Sequence, residues 1–248
     1  MMSDSLGDRM KMYERLADNQ LVPKMPVMGR LDGKAFHTYT RSMRRPWDHR
    51  LVEAMQAAAV HLCENIQGCR MAFVQSDEIT LLLTDWDRYG TQSWFDYRVQ
   101  KMCSIAASMC SVAFHEAVRR EFGEEAPKAL PMFDARFWNL PRHEVVNAIV
   151  WRQQDATRNS IQMLARAHFS HSQCHRKNTS QLQDMLHAEH GINWNDTPTH
   201  LKRGACIVKE ELEGGRTGWV VDKEIPIFTQ DRDYIGKHLT EVFWKEEE

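Results

Sequence analysis

The chain has 248 residues, 42% of them apolar and 27% charged, which suffices for one large core and excludes a disordered polyampholyte. Its formal net charge of −2 excludes a uniformly basic nucleic-acid coat, so contact with RNA or DNA would need local patches of Lys and Arg. Nowhere do about 18 apolar residues follow one another without a charge, and the start Met1-Met2-Ser3-Asp4-Ser5 lacks a cationic lead into an apolar run, so a cytoplasmic protein with no membrane partner is expected.

In chain order, residues 8–18 read as a short amphipathic helix and 25–31 as a strand running into Asp32. A helix follows over about 48–66. Residues 70–75 and 79–84 read as two strands joined by the polar turn Ser76-Asp77-Glu78. A long helix over about 93–122 and a fourth strand over 131–140 complete a β-α-β-β-α-β order. That is the ferredoxin-like pattern of polymerase palms and nucleotidyl cyclases.

Beyond it lie a helical stretch over about 142–171, broken or bent near Asp155, and a helix near 180–190. A turn at Gly191 to Asn195 and Pro198 then leads to a small hairpin, 205–209 and 217–221, turning at Gly214-Gly215. The expected class is α+β: a palm-like catalytic core over 1–140 with a helical and hairpin extension over 141–248, forming one continuous globular unit. Residues 245–248 are expected to be a solvated tail.

Right-handed crossovers make the first two strands point the same way, which brings the end of the first strand and the turn after the second to one sheet edge. Asp32 and Asp77 therefore meet. Either alone would read as a helix cap or a turn residue. Together, with the Gly33 carbonyl, they can hold two Mg²⁺ ions roughly 3.5 to 4 Å apart. Gly33, lacking Cβ, lets the chain turn sharply, so the amides of Lys34, Ala35, Phe36 and His37 can face a triphosphate, with Lys34 adding a point charge. Glu78 reads either as part of the site or as a solvated edge residue. A Walker A loop is excluded, because Gly29 and Gly33 are too close and Ala35 stands where Ser or Thr is needed.

The six cysteines form no CxxC pair and are expected to be reduced. His168, His171, Cys174 and His175, with His187 and His190, do not divide into the two separated ligand pairs that zinc favours, so a polar or RNA-facing helix is the preferred reading. Phe133, Phe137 and Trp138 read as core more readily than as base-stacking rings. Met102, Met109 and Met163 read as core filling.

At these residues the chain resembles the histidine-tRNA guanylyltransferase family, the 3′-to-5′ nucleotide polymerases. The resemblance is carried by Arg30-Leu31-Asp32-Gly33 with Phe36-His37, Arg45-Pro46 with Asp48, Gln75-Ser76-Asp77-Glu78, Phe133-Asp134-Ala135-Arg136, and Trp151-Arg152-Gln153 with Asp155. It implies two Mg²⁺ ions on Asp32, Gly33 and Asp77, with Glu78 close by. It also implies GTP, ATP and other nucleoside triphosphates as substrates, with a triphosphate on Lys34 to His37 beside Ser76. The 3′-hydroxyl of the incoming nucleotide would attack an activated 5′ end gripped by Arg30, Arg98 and Lys101. Where eukaryotic members carry His-Ile-Asn-Asn-Leu-Tyr-Asn, this chain has Thr157 to Met163, keeping Asn159 in register, which is similar to the family's like-protein branch of bacteria, archaea and phages.

For that branch the implied task is templated addition to 5′-truncated tRNA, with histidine-tRNA guanylylation as a narrower activity, by a homotetramer built as a dimer of dimers. The 141–248 extension would then dock tRNA and make oligomer contacts. Candidate RNA-binding residues are Arg158, Asn159, Arg166, Arg176, Lys177, Lys202 and Arg203. The competing readings are a nucleotidyl cyclase-like palm joining nucleotides without RNA, which the basic extension disfavours, and a non-enzymatic RNA-binding protein, which gives Asp32 and Asp77 no task.

Overall fold

The computed structural model describes residues 5–212 and 214–239; the tail at 245–248 lies outside them. After helix α1 (Leu6–Arg15), the chain forms β1 (Val27–Gly33), a single helical turn α2 (Phe36–Tyr39) and α3 (His49–Asn65). The hairpin β2 (Cys69–Gln75) and β3 (Glu78–Leu83), helix α4 (Val99–Phe122) and β4 (Phe133–Asn139) follow. β1 pairs antiparallel with both β3 and β4, and β3 with β2, so the expected βαββαβ palm is present. The sequence permits α3 because Asp48 caps its first turn by accepting from the Arg50 amide, and because Ala54, Ala58 and Ala59 let it lie close on the sheet.

Three features differ from the expectation. The first is the hairpin β5 (Ala205–Leu212) and β6 (Arg216–Asp222), which extends the palm's own sheet. β5 pairs with the free edge of β2, giving one six-stranded sheet in the order β4-β1-β3-β2-β5-β6 that runs across residue 140. The second is α5 (Arg142–His168), which continues through Asp155 without a break. The third is the start of α4: Phe95, Asp96 and Tyr97 adopt positive φ in a tight turn, so the helix begins only at Val99.

The sheet separates two cores. α3 and α4 cover one face, where Leu31, Ile79, Leu81, Val74 and Phe133 pack against Ala58, Leu62, Ala106, Cys110 and Phe114. On the other face Met28, Phe73, Leu82 and Val208 pack against Val145 and Ile149 of α5, with Phe228 and with Ile235 of α9 (Asp233–Gly236). A third cluster joins the C-terminal half of α5 to α7 (Thr179–His190) and Trp194. α6 (His171–Cys174) and α8 (Thr199–Arg203) are short connecting helices. Phe133 and Phe137 are core residues, as expected. Among the described residues, no helix is long and apolar enough to cross a membrane.

Candidate active site

The strands change character along their length. On β1, Met28 enters the second core, while Arg30 and Asp32, next on the same face by two-residue alternation, lie beyond it. Across the ladder, Asp32 is opposite Glu78 of β3 and Asp134 of β4, and Arg30 is opposite Thr80 and Arg136. Helix α5 supplies a wall with Trp151, Arg152, Asp155 and Asn159. The result is an open groove of about 420 Å³ that also contains Arg30, Asp32, Ser76, Asp77 and Glu78. Topology thus brings Asp32 and Asp77 together as the strand order requires, and the Gly33 amide donates to the Asp77 carbonyl at 3.0 Å.

Burial pushes both carboxyls above the usual carboxylate range. For Asp32, the Arg30 charge opposes this and Asp134 reinforces it. For Asp77, hydrogen bonding in the turn opposes it, and Asp32 and Glu78 reinforce it. Desolvated, mutually repelling oxygen donors beside a backbone carbonyl suit a hard divalent cation. Among the described residues no group of three or more His, Cys, Asp or Glu is placed to hold a metal alone. Mg²⁺ does not need such a group, because one or two carboxylates, waters and substrate phosphates suffice. The same observation leaves the histidine and cysteine cluster around His171 without a metal-binding arrangement among the described residues.

A raised carboxyl pKa means that the folded state holds the proton more tightly than the unfolded one. Stability contributed by Asp77 is then present at low pH and lost as pH rises through its folded pKa. In the absence of Mg²⁺, Asp77→Asn is expected to stabilise the protein by roughly 1 kcal/mol near neutral pH, with the gain vanishing in acid. Thermal melts with a chelator across pH test this; an Asn variant melting below the parent at neutral pH would refute it.

Several expected site residues take different parts. Gly33 is required for space rather than for a left-handed turn: an added Cβ would lie 2.3 Å from the Phe36 ring, itself packed on Tyr39, Phe114 and Phe133. The positive φ values fall on Ala35 (54°) and Ser76 (49°). The Lys34 amide donates to the Met132 carbonyl at 2.8 Å, and Lys34 lines a separate groove with Pro127 to Met132. Gly33, Ala35, Phe36 and His37 instead line a cavity of about 520 Å³ together with Ser76, Asp77, Arg44, Trp47, Met163 and Arg166. Glu78 is no solvated edge residue: it is 6% exposed and accepts from Arg152 Nε and Nη2 at 2.6 Å each.

Arg30 lines the groove beside Asp32. Its buried Nε has no hydrogen-bond acceptor and lies 3.8 Å from Asp32 Oδ2, an ion-pair distance too long for a hydrogen bond. Arg98 and Lys101 are not brought to Asp32 within one chain. The Leu21 amide donates to Tyr97 and the Val22 amide to Asn139, which pairs with Val27 at the opposite end of β1. There Arg98 is held by Asp18, and the Lys101 ammonium lies 4.6 Å from the Phe95 ring centroid.

Among the proposed RNA contacts, Arg158 is tied to Asp155, and Asn159 Nδ2 donates to the same carboxylate at 3.3 Å. Lys202 is 8% exposed, donates to the Asn195 carbonyl at 2.6 Å and sits over Trp194; burial pulls its ammonium below the usual range. It is an internal strut rather than a surface contact. Arg203 is half-buried, and Arg166, Arg176 and Lys177 share one pocket. Sequence reasoning did not single out Trp151, Arg152, Asp155 or Asp134 as site residues, although the family-like motifs contain all four. The signal available was period: Trp151, Asp155 and Asn159 recur every four residues and so share a helix face.

Comparison with known proteins agrees with this architecture. A bacterial tRNA(His) guanylyltransferase (Thg1)-like protein solved in complex with ATP is 44% identical, covering 95% of this chain and 99% of that one, with a TM-score of 0.89. A bacterial Thg1-like protein in complex with GTP gives 43% identity over the same shares and a TM-score of 0.84. The tRNA(His) guanylyltransferase of Debaryomyces hansenii is 29% identical over 84% of this chain and 82% of its own length. The family model described as Thg1, tRNAHis guanylyltransferase, matches residues 7–141, more than half of the chain. With the palm, the paired carboxylates and these matches together, the chain belongs to the Thg1 family of tRNAHis guanylyltransferases and is a nucleotidyltransferase.

Proposed function

We propose that this chain is a Mg²⁺-dependent 3′-to-5′ polymerase that adds nucleotides to the 5′ end of tRNA, its main task being templated repair of truncated ends. The observation that carries this reading is the pair of half-buried carboxylates Asp32 and Asp77 at one edge, beside an Arg30 N–H that has no acceptor. Asp32, the Gly33 carbonyl and Asp77 would hold Mg²⁺, which when bound lowers the pKa of an attacking hydroxyl and neutralises a departing pyrophosphate.

The chain's own residues do the positioning. The cavity beside Ala35, His37 and Asp77 takes the incoming nucleoside triphosphate, a role supported by the ATP and GTP complexes of the bacterial relatives. Arg30 donates to the phosphate of the RNA's activated 5′ end. With a 5′-triphosphate end, the O3′ of the nucleotide bonds to its α-phosphorus, the bond to pyrophosphate breaks and the hydroxyl proton leaves to solvent; a 5′-monophosphate end must first take a nucleoside monophosphate from a nucleoside triphosphate, with loss of pyrophosphate, and that nucleoside monophosphate then leaves. Trp151, 54% exposed on the groove wall, offers a face on which the terminal base can stack. Because pairing selects the base, the protein need only grip RNA shape and phosphates. In this reading residues 1–140 carry the chemistry and the remainder docks tRNA, within a homotetramer; a narrower histidine-tRNA guanylylation uses the same site.

The test is Mg²⁺-dependent extension of a labelled tRNA lacking its first nucleotide, supplied with a 5′-monophosphate or 5′-triphosphate and one nucleoside triphosphate at a time. Only the nucleotide complementary to the opposing base should be added. Addition indifferent to that base overturns templating, and nucleotide consumption without an RNA product overturns the choice of acceptor.

A further inference from the structure

The basic residues of the C-terminal half look interchangeable in the sequence, and the fold sorts them. Arg158 is neutralised by Asp155, and Lys202 is buried under Trp194. Arg166, Arg176 and Lys177 instead converge, with Gln162, His171 and His175, on one pocket of about 200 Å³ between the end of α5, α6 and the start of α7. Among the described residues no carboxylate lines it. Among the described residues none of the three cations has a side-chain partner, whereas Arg30, Arg50, Arg70, Arg98, Arg136 and Arg152 each face a carboxylate. Arg176 also holds an unfavourable left-handed backbone (φ 60°) that projects a full arginine side chain where glycine or asparagine would fit more easily.

Three like charges gathered without a counter-charge repel one another until an anion joins them, and forked guanidinium donors match phosphate oxygens. The position of the pocket narrows the source of that phosphate. Asp155 of the reactive groove lies about two to three helical turns before Gln162 and Arg166 on α5, roughly 10 to 16 Å along the axis, so the phosphorus reacting at Asp32 is not the phosphate the pocket seats. Arg166 lines both this pocket and the cavity of His37 and Asp77, so the two are neighbours. We propose that the pocket is a phosphodiester subsite that seats a backbone phosphate of the acceptor RNA away from its reacting end. The inference rests on RNA being the acceptor, as proposed above.

The test compares the full chain with Arg176→Ala/Lys177→Ala, and with Arg119→Ala/Arg120→Ala on the exposed end of α4 as a control that removes the same charge. Affinity for 5′-truncated tRNA is measured between about 50 and 200 mM salt, and binding of ATP and of inorganic phosphate is measured in the same samples. The pocket variant should bind tRNA roughly tenfold more weakly at low salt, and its slope of log affinity on log salt should be shallower by about 1 to 2. Its ATP affinity should match that of the parent, which reports an intact fold and nucleotide site. Unchanged tRNA binding, or equal weakening in the control pair, overturns the proposal. So does loss of inorganic phosphate binding with tRNA affinity intact, which would assign the pocket to a free anion. A parent chain that fails to bind tRNA overturns the acceptor assignment itself and the subsite with it, an outcome distinct from a parent that binds as well as its variant.

Discussion

Asp32→Ala and Asp77→Ala are each expected to slow nucleotide addition by about a thousandfold or more, while tRNA affinity changes less than about threefold. Both carboxylates sit at the sheet edge facing the groove, and burial raises the pKa of each, so they are costly to keep ionised without a cation. Removing either deletes charge stabilisation that matters most as pyrophosphate departs, and several kcal/mol of such stabilisation corresponds to that loss of rate. Apart from Arg30, which shares β1 with Asp32, the RNA-docking residues lie on other elements and are untouched. Single-turnover extension separates chemistry from binding, and turnover retained in both variants sinks the two-metal assignment. The effect on stability should run the other way, since the Asp77 carboxylate is costly in the metal-free fold. A variant that is inactive yet no less stable is the mark of a group kept for function.

How far such a site is legible in a sequence depends on which physical rule sets each part. The meeting of Asp32 and Asp77 was legible because strand order and crossover handedness alone bring a strand end and a hairpin turn to one edge. Glu78 was not, because alternation tells which face a side chain takes but not what covers that face; here Arg152 of α5 seals it. That Arg98 and Lys101 lie away from Asp32 within one chain was hidden for a similar reason. Helical spacing relates them to each other, whereas α4 runs antiparallel to β4: the Phe133 amide donates to Ser111, and Tyr97 lies near the Asn139 end. The all-buried run Ala205 to Val208 announced a covered strand without saying which sheet edge it joins. Lys202, at the end of a short polar helix, gave no sign that Trp194 and Asn195 would enclose it.

The second large effect is expected at Arg152, which does not contact the proposed metal donors directly. Its guanidinium holds both Glu78 oxygens at 2.6 Å and reaches Asp155 at 2.8 Å, with the side chains of Arg152 and Glu78 9% and 8% exposed. Arg152→Met leaves Glu78 buried with no cation, directly after Asp77 and opposite Asp32 in the ladder. Breaking one side of such a pair costs about 3 to 5 kcal/mol, whereas replacing both partners by neutral groups can be close to neutral. Arg152→Met should therefore lower the melting temperature steeply, and adding Glu78→Gln should recover much of the loss. Arg152→Lys should recover little, because an ammonium cannot make the two parallel bonds. If the double variant is no more stable than Arg152→Met alone, the pair is not the source of the loss. If it is restored in stability but still inactive with tRNA, then Glu78 and Arg152 hold the turn bearing Asp77 in its working position, and the ion pair is a positioning device beneath the proposed metal site.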